Sequence, residues 1–117
     1  MTPLRREDPL IRRLQVVAAM LARIVGFRSS GQIDEARAEL EKAYGSLLGS
    51  SGDLIRRVDE RTAAKLLGSR EAAVAFADLV ALEASLEEDP ARRVLLEERA
   101  ARVRAVISGR ANGADTA

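Results

Sequence analysis

Ser30-Gly31-Gln32-Ile33-Asp34-Glu35-Ala36-Arg37-Ala38-Glu39-Leu40-Glu41-Lys42-Ala43 reads as a tight turn feeding an amphipathic helix. Asp34 and Glu35 occupy its first turn, where carboxylates favour the positive end of the helix dipole. Ile33, Ala36, Leu40, Ala43 and Leu47 recur at helical spacing and form one apolar stripe, with Tyr44 and Leu48 beside it. The small residues Ala36 and Ala43 let this helix come close to the one before it. A helical hairpin follows, and the rest of the chain adds helices to it.

The preceding helix begins at Asp8-Pro9, with Asp as N-cap and Pro at the first helical position, where a missing N–H costs nothing. Leu10, Leu14, Val17, Leu21 and Ile24 then alternate at spacings of four and three. Ile11, Ala18 and Val25 run one position further on and widen the stripe, so this face contacts more than one neighbour. Gly26 marks the expected end of the helix, and Arg28 to Gly31 the turn.

Beyond the second helix, Gly49-Ser50-Ser51-Gly52 is a break and Asp53-Leu54-Ile55 is expected to make one short turn. A short helix from Asp59 or Glu60 carries Ala63, Ala64, Leu66 and Leu67 and closes at Gly68. Ser69 caps a fourth helix running to about Glu88. Its apolar residues Val74, Phe76, Leu79, Val80, Leu82 and Leu86 are spread around the axis, the pattern of a helix covered on two sides. Asp89-Pro90 repeats the start signal and opens a fifth helix with the stripe Leu96, Ala100, Val103 and Ile107. The expectation is an all-α fold of about five helices, two helical hairpins joined by a short helix. Residues 1–8 form a charged leader, 9–108 a single helical domain and 109–117 a disordered tail.

Composition narrows function by exclusion. The 117 residues suffice for one core. Aromatics are only 3% of the chain, so the core is built from Leu, Val, Ile and Ala, which suits close helix packing rather than a β-sandwich. With no Cys there is no disulfide and no thiolate nucleophile or ligand; with no His, the commonest general base and metal ligand is missing too. A net charge of +1 exerts no global pull on nucleic acid or anionic lipid. Met1 to Arg13 lacks the apolar core of a signal peptide, and no apolar run approaches the roughly 20 residues of a membrane helix. A cytoplasmic protein without membrane contact is expected.

Gly31-Gln32-Ile33-Asp34-Glu35-Ala36, followed by Leu40 and Ala43, resembles the second helix of a tetratricopeptide repeat, where small residues seat one helix against its partner. The second hairpin follows after roughly 60 residues rather than the ~34 of a regular array, and Asp89-Pro90 stands where a repeat carries Gly and small residues. Across residues 9 to 107 the layout is similar to a bacterial family of short tetratricopeptide-like proteins of unknown function. The shared features are Leu21-Ala22-Arg23-Ile24-Val25-Gly26, the Gly31 turn and its helix, Leu47-Leu48-Gly49, a short linking helix and a final hairpin. That resemblance implies a helical scaffold and carries over no catalytic residue, metal or cofactor.

Candidate chemistry is correspondingly thin. Glu87-Glu88-Asp89 and Glu97-Glu98 fall at helix ends or on solvated faces without a His to complete a metal or acid–base site. Arg12, Arg13, Arg56, Arg57, Arg92 and Arg93 are the candidate anion contacts for a nucleic-acid or polyanion binder. Adjacent arginines diverge by about 100° on a helix, acids lie near most of them, and no aromatics interleave for base stacking. The apolar excess is more informative. Leu10, Leu14, Val17, Ala18, Leu21 and Val25 form the candidate interaction face of a non-enzymatic protein that binds another protein or a second copy of itself. Arg-mediated anion binding is the alternative.

Overall fold

A computed structural model of the chain describes residues 8–109. Six α-helices lie among them: α1 (Pro9–Ser29), α2 (Ile33–Leu48), α3 (Gly52–Arg57), α4 (Glu60–Leu67), α5 (Arg70–Leu86) and α6 (Pro90–Ile107). One 3-10 turn, Gly49–Ser51, links α2 to α3, and no strand occurs among the described residues. The fold is all-α. The leader and tail expected from the sequence lie, apart from Asp8 and Gly109, outside the described residues.

Side-chain caps start four of the helices. Asp8 accepts from the Leu10 amide at 2.9 Å, Asp59 from Thr62 at 3.3 Å, Ser69 from Ala72 at 3.0 Å and Asp89 from Ala91 at 3.1 Å. Each satisfies one of the orphan donors of a first turn. Ser69→Ala is therefore expected to cost about 1 kcal/mol of stability, read as a lower denaturant midpoint with unchanged slope.

Three boundaries differ from the sequence expectation. Helix α1 runs through Gly26 to Ser29, because Phe27 packs against the core and holds another turn of helix in place. The chain reverses at Gly31 instead, at φ 76°, with the Gln32 amide donating to the Phe27 carbonyl at 2.8 Å and the Gly31 amide to Arg28 at 3.1 Å. That paired closure needs a left-handed residue, which glycine supplies without steric cost. The stretch around Asp53-Leu54-Ile55 is a six-residue helix rather than a single turn, anchored by buried Ile55. Helix α5 stops at Leu86, not near Glu88, with Glu87 and Asp89 extended ahead of Pro90, as the residue before a proline prefers.

Helices α1 and α2 form one hairpin, α5 and α6 the other, and α3 and α4 close one end between them. Helix α5 is the centre, packing on α1, α2, α4 and α6. Its Phe76 and Leu79 meet Val17 and Ile24 of α1, Ala36, Leu40 and Ala43 of α2, and Val103 of α6 in one core cluster. The Arg37 side chain of α2 donates to the Leu86 carbonyl at 2.9 Å, so the start of α2 lies against the end of α5. Helix α2 is thus antiparallel to both α1 and α5, and α1 and α5 run parallel, side by side.

Candidate interaction groove and the charged joint

The 3.6-residue period gives α1 two apolar seams. Val17 and Ile24, with Met20 and Phe27 beside them, face the core, and the first two are fully buried. Ile11, Leu14, Ala18, Leu21 and Val25 form a second seam at alternating spacings of three and four, rotated by about a quarter turn. Helix α5 covers only one edge of it. Between the two helices, on the side away from α2, lies a groove of about 330 Å³ lined by Leu14, Val17, Ala18 and Leu21 of α1 and by Val74 and Ala75 of α5. Arg70, Glu71 and Asp78 of α5 form its polar edge.

Of the expected interaction face, Leu14, Val17, Ala18 and Leu21 therefore sit together in one groove, with Leu10 and Val25 above and below them along α1. Val17 is wholly buried and contributes only floor; a partner could not reach it. Val25 is 40% and Val74 41% exposed, and Ala18 and Ala22 are open to solvent. Val74 was not separable in the sequence from the other apolar residues of α5, because that helix is apolar on most sides.

The candidate anion contacts behave differently. Arg12 and Arg13 lie exposed in the first turns of α1. Arg57 pairs with Asp53 at 3.8 Å, and Arg93 donates through Nε to the Glu87 carbonyl at 3.0 Å. Only Arg56 and Arg92 come together, and they meet on a carboxylate. The Glu83 Oε2 lies 3.5 Å from Arg56 and 3.3 Å from Arg92, while its Oε1 accepts from the Tyr44 hydroxyl at 2.7 Å. Arg56 also reaches Glu41 at 3.4 Å and stacks 4.1 Å above the Tyr44 ring; Arg92 donates to Glu87 at 2.8 Å. Cations already matched by three carboxylates make a joint between α2, α3, α5 and α6 rather than an anion clamp.

Sequence reading missed this joint, although it left a mark. Glu83 is the only charged residue between Asp78 and Glu87, set in an otherwise apolar stretch of a central helix. Such a carboxylate needs partners, and its side chain is only 14% exposed. A second joint fastens α4 to α6: Arg99 donates to Glu60 at 2.9 Å and to the Ile55 carbonyl at 3.0 Å, and Arg102 joins Glu60 at 3.3 Å.

Burial, then the charge of Glu83 and the hydrogen bond to it, push the Tyr44 hydroxyl far above its ordinary value of about 10. A group whose pKa is raised by folding supports the fold below its unfolded value and loses that support as pH rises beyond it. Tyr44 is the only tyrosine, and Trp is absent, so phenolate absorbance reports this one site. We expect that absorbance to appear only together with loss of the helical circular dichroism signal, at a pH above 10. A smooth titration near pH 10 in the folded protein would contradict the buried joint.

Among the described residues no helix is long and apolar enough to cross a membrane. No family model, curated protein or solved structure matches this chain.

Proposed function

We propose that this protein is a non-enzymatic helical interaction module, built as a tetratricopeptide-like scaffold, that receives an amphipathic helix in the groove between α1 and α5. The observation that supports this most is the second seam of α1. Ile11, Leu14, Ala18, Leu21 and Val25 repeat at coiled-coil spacing beside the core seam; Leu14 and Leu21 also pack against the core, while Ala18 and Val25 stay exposed. A sequence that keeps two apolar seams over the 21 residues of one helix maintains more apolar surface than its own hairpin uses. Helix-in-groove recognition works by such periodic anchors. The ion-paired state of Arg56, Arg57 and Arg92 and the carbonyl contact of Arg93 favour a protein partner over a polyanion.

A photo-crosslinking residue placed at Val74, in the groove wall, is expected to give discrete protein adducts in the native cytoplasm, whether with the same chain or another. The same residue at exposed Leu95 of α6, outside the groove, serves as the control. Adducts of equal yield at both positions, or none at Val74, would contradict the proposal.

A further inference from the structure

We infer that the occupant of the groove is a second copy of this chain, paired antiparallel through the outer seam of α1. The inference rests on the groove reading above and names its partner.

Charge selects the occupant. Helix α1 carries Arg12, Arg13, Arg23 and Arg28 and no carboxylate, whereas α5 carries Glu71, Asp78 and Glu83 against the single Arg70. Arg23 is taken by Glu39 at 3.5 Å, Asp78 by Arg104 at 3.1 Å and Glu83 by the charged joint. Among the described residues, Arg28 and Glu71 make no ion pair or side-chain hydrogen bond. Arg28 lies seven residues after Leu21, two turns along the same edge of α1, and Glu71 lines the groove at the start of α5. Within one chain these two are at opposite ends of the groove, because α1 and α5 run parallel.

An antiparallel second copy removes that separation. With a two-fold axis near Leu21 and Ala22, the start of the partner's α5 comes level with the end of α1, and each Glu71 reaches the level of the other copy's Arg28. The same operation sets Val25, 40% exposed, over Ala18, so that a knob meets a gap left by a small residue. About that axis the open sector of α1 that meets its copy holds Gln15, Ala18, Ala22, Val25 and Gly26, with Leu14 and Leu21 at its edge toward the groove, and no charge at all, so its arginines do not oppose one another across the interface. The last roughly 16 residues of α1 overlap their copies over about 24 Å, and two helix widths make about 20 Å; the strip is on the order of 500 Å² per partner, the size of a weak, concentration-dependent pairing.

The test is the mass of the full chain by sedimentation, from micromolar to millimolar, with circular dichroism as the check of folding. The expected wild-type particle has twice the 12.6 kDa of one chain. Ala18→Arg should give a folded monomer. Arg28→Glu and Glu71→Arg should each weaken pairing by about tenfold or more, and the double exchange should restore it, since the pair is only reversed. A wild-type chain that stays monomeric throughout, or a double exchange no better than the single changes, overturns the second copy as occupant. If such a monomer still gives Val74 adducts with a different protein, the groove reading stands and only the identity of the occupant falls.

Discussion

Replacing Phe76 by alanine is expected to lower the unfolding free energy by about 3–5 kcal/mol, the range for deleting a buried aromatic ring. Phe76 is fully buried in α5, where the packing of α1, α2, α4 and α6 converges. Its ring meets Tyr44 edge-on with centroids 6.3 Å apart, and the Arg99 guanidinium lies 5.7 Å from its centroid. The ring therefore supports both charged joints as well as the core. With only three aromatic side chains in the chain, no neighbouring ring is large enough to fill the space it leaves. A domain of this size is stable by ~5–15 kcal/mol, so the variant should unfold at much lower denaturant or not accumulate at all. Phe76→Leu, which keeps most of the volume, should lose less than half as much, and equal losses from the two would argue against a tightly packed centre.

The second large effect falls on Glu83. Glu83→Ala removes the acceptor of the buried Tyr44 hydroxyl and the carboxylate shared by Arg56 and Arg92, and should cost about 2–4 kcal/mol. Tyr44→Phe alone should cost about 1 kcal/mol, and adding it to Glu83→Ala should cost almost nothing more, because the orphaned hydroxyl is gone. Glu83→Gln keeps an acceptor for Tyr44 and loses only the charge, so it should fall between wild type and Glu83→Ala. Chemical denaturation of the four variants measures this directly. Strict additivity of Tyr44→Phe and Glu83→Ala would mean that the two side chains do not act as a unit.

Much of the architecture could be read from the sequence because the informative residues act locally. Asp8-Pro9, Asp89-Pro90, Ser69 and Gly68 set helix ends through bonds made within a few residues, and all four act where the sequence places them. Gly26 misled because its lack of a side chain lowers helix propensity, whereas the end of α1 is decided by Phe27 packing at a distance and by the left-handed Gly31. The length of α3 was hidden for the same reason: Ile55 stabilises six residues that have little intrinsic preference for helix.

The groove was half legible. Periodicity picked out Leu14, Ala18 and Leu21 on α1, and all three line the groove. Its opposite wall was not legible, since a helix apolar on nearly every side does not announce which side stays open. Val74 is 41% exposed although α5 packs on α1, α2, α4 and α6. The charged joints were the least legible part. Tyr44 and Glu83 are 39 positions apart, Arg99 and Glu60 likewise, and such pairs come together only when the hairpins dock.

The absence of cysteine makes the outer seam of α1 directly testable. Ala22→Cys places a single thiol next to the proposed two-fold axis on a solvent-exposed position, and Ala101→Cys places one on the exposed side of α6 as a control. Under mild oxidation at equal concentration, rapid and near-complete disulfide-linked dimer is expected for Ala22→Cys and little for Ala101→Cys. Slow linkage of equal extent at both positions would show that α1 meets no second copy of itself, and would contradict the account.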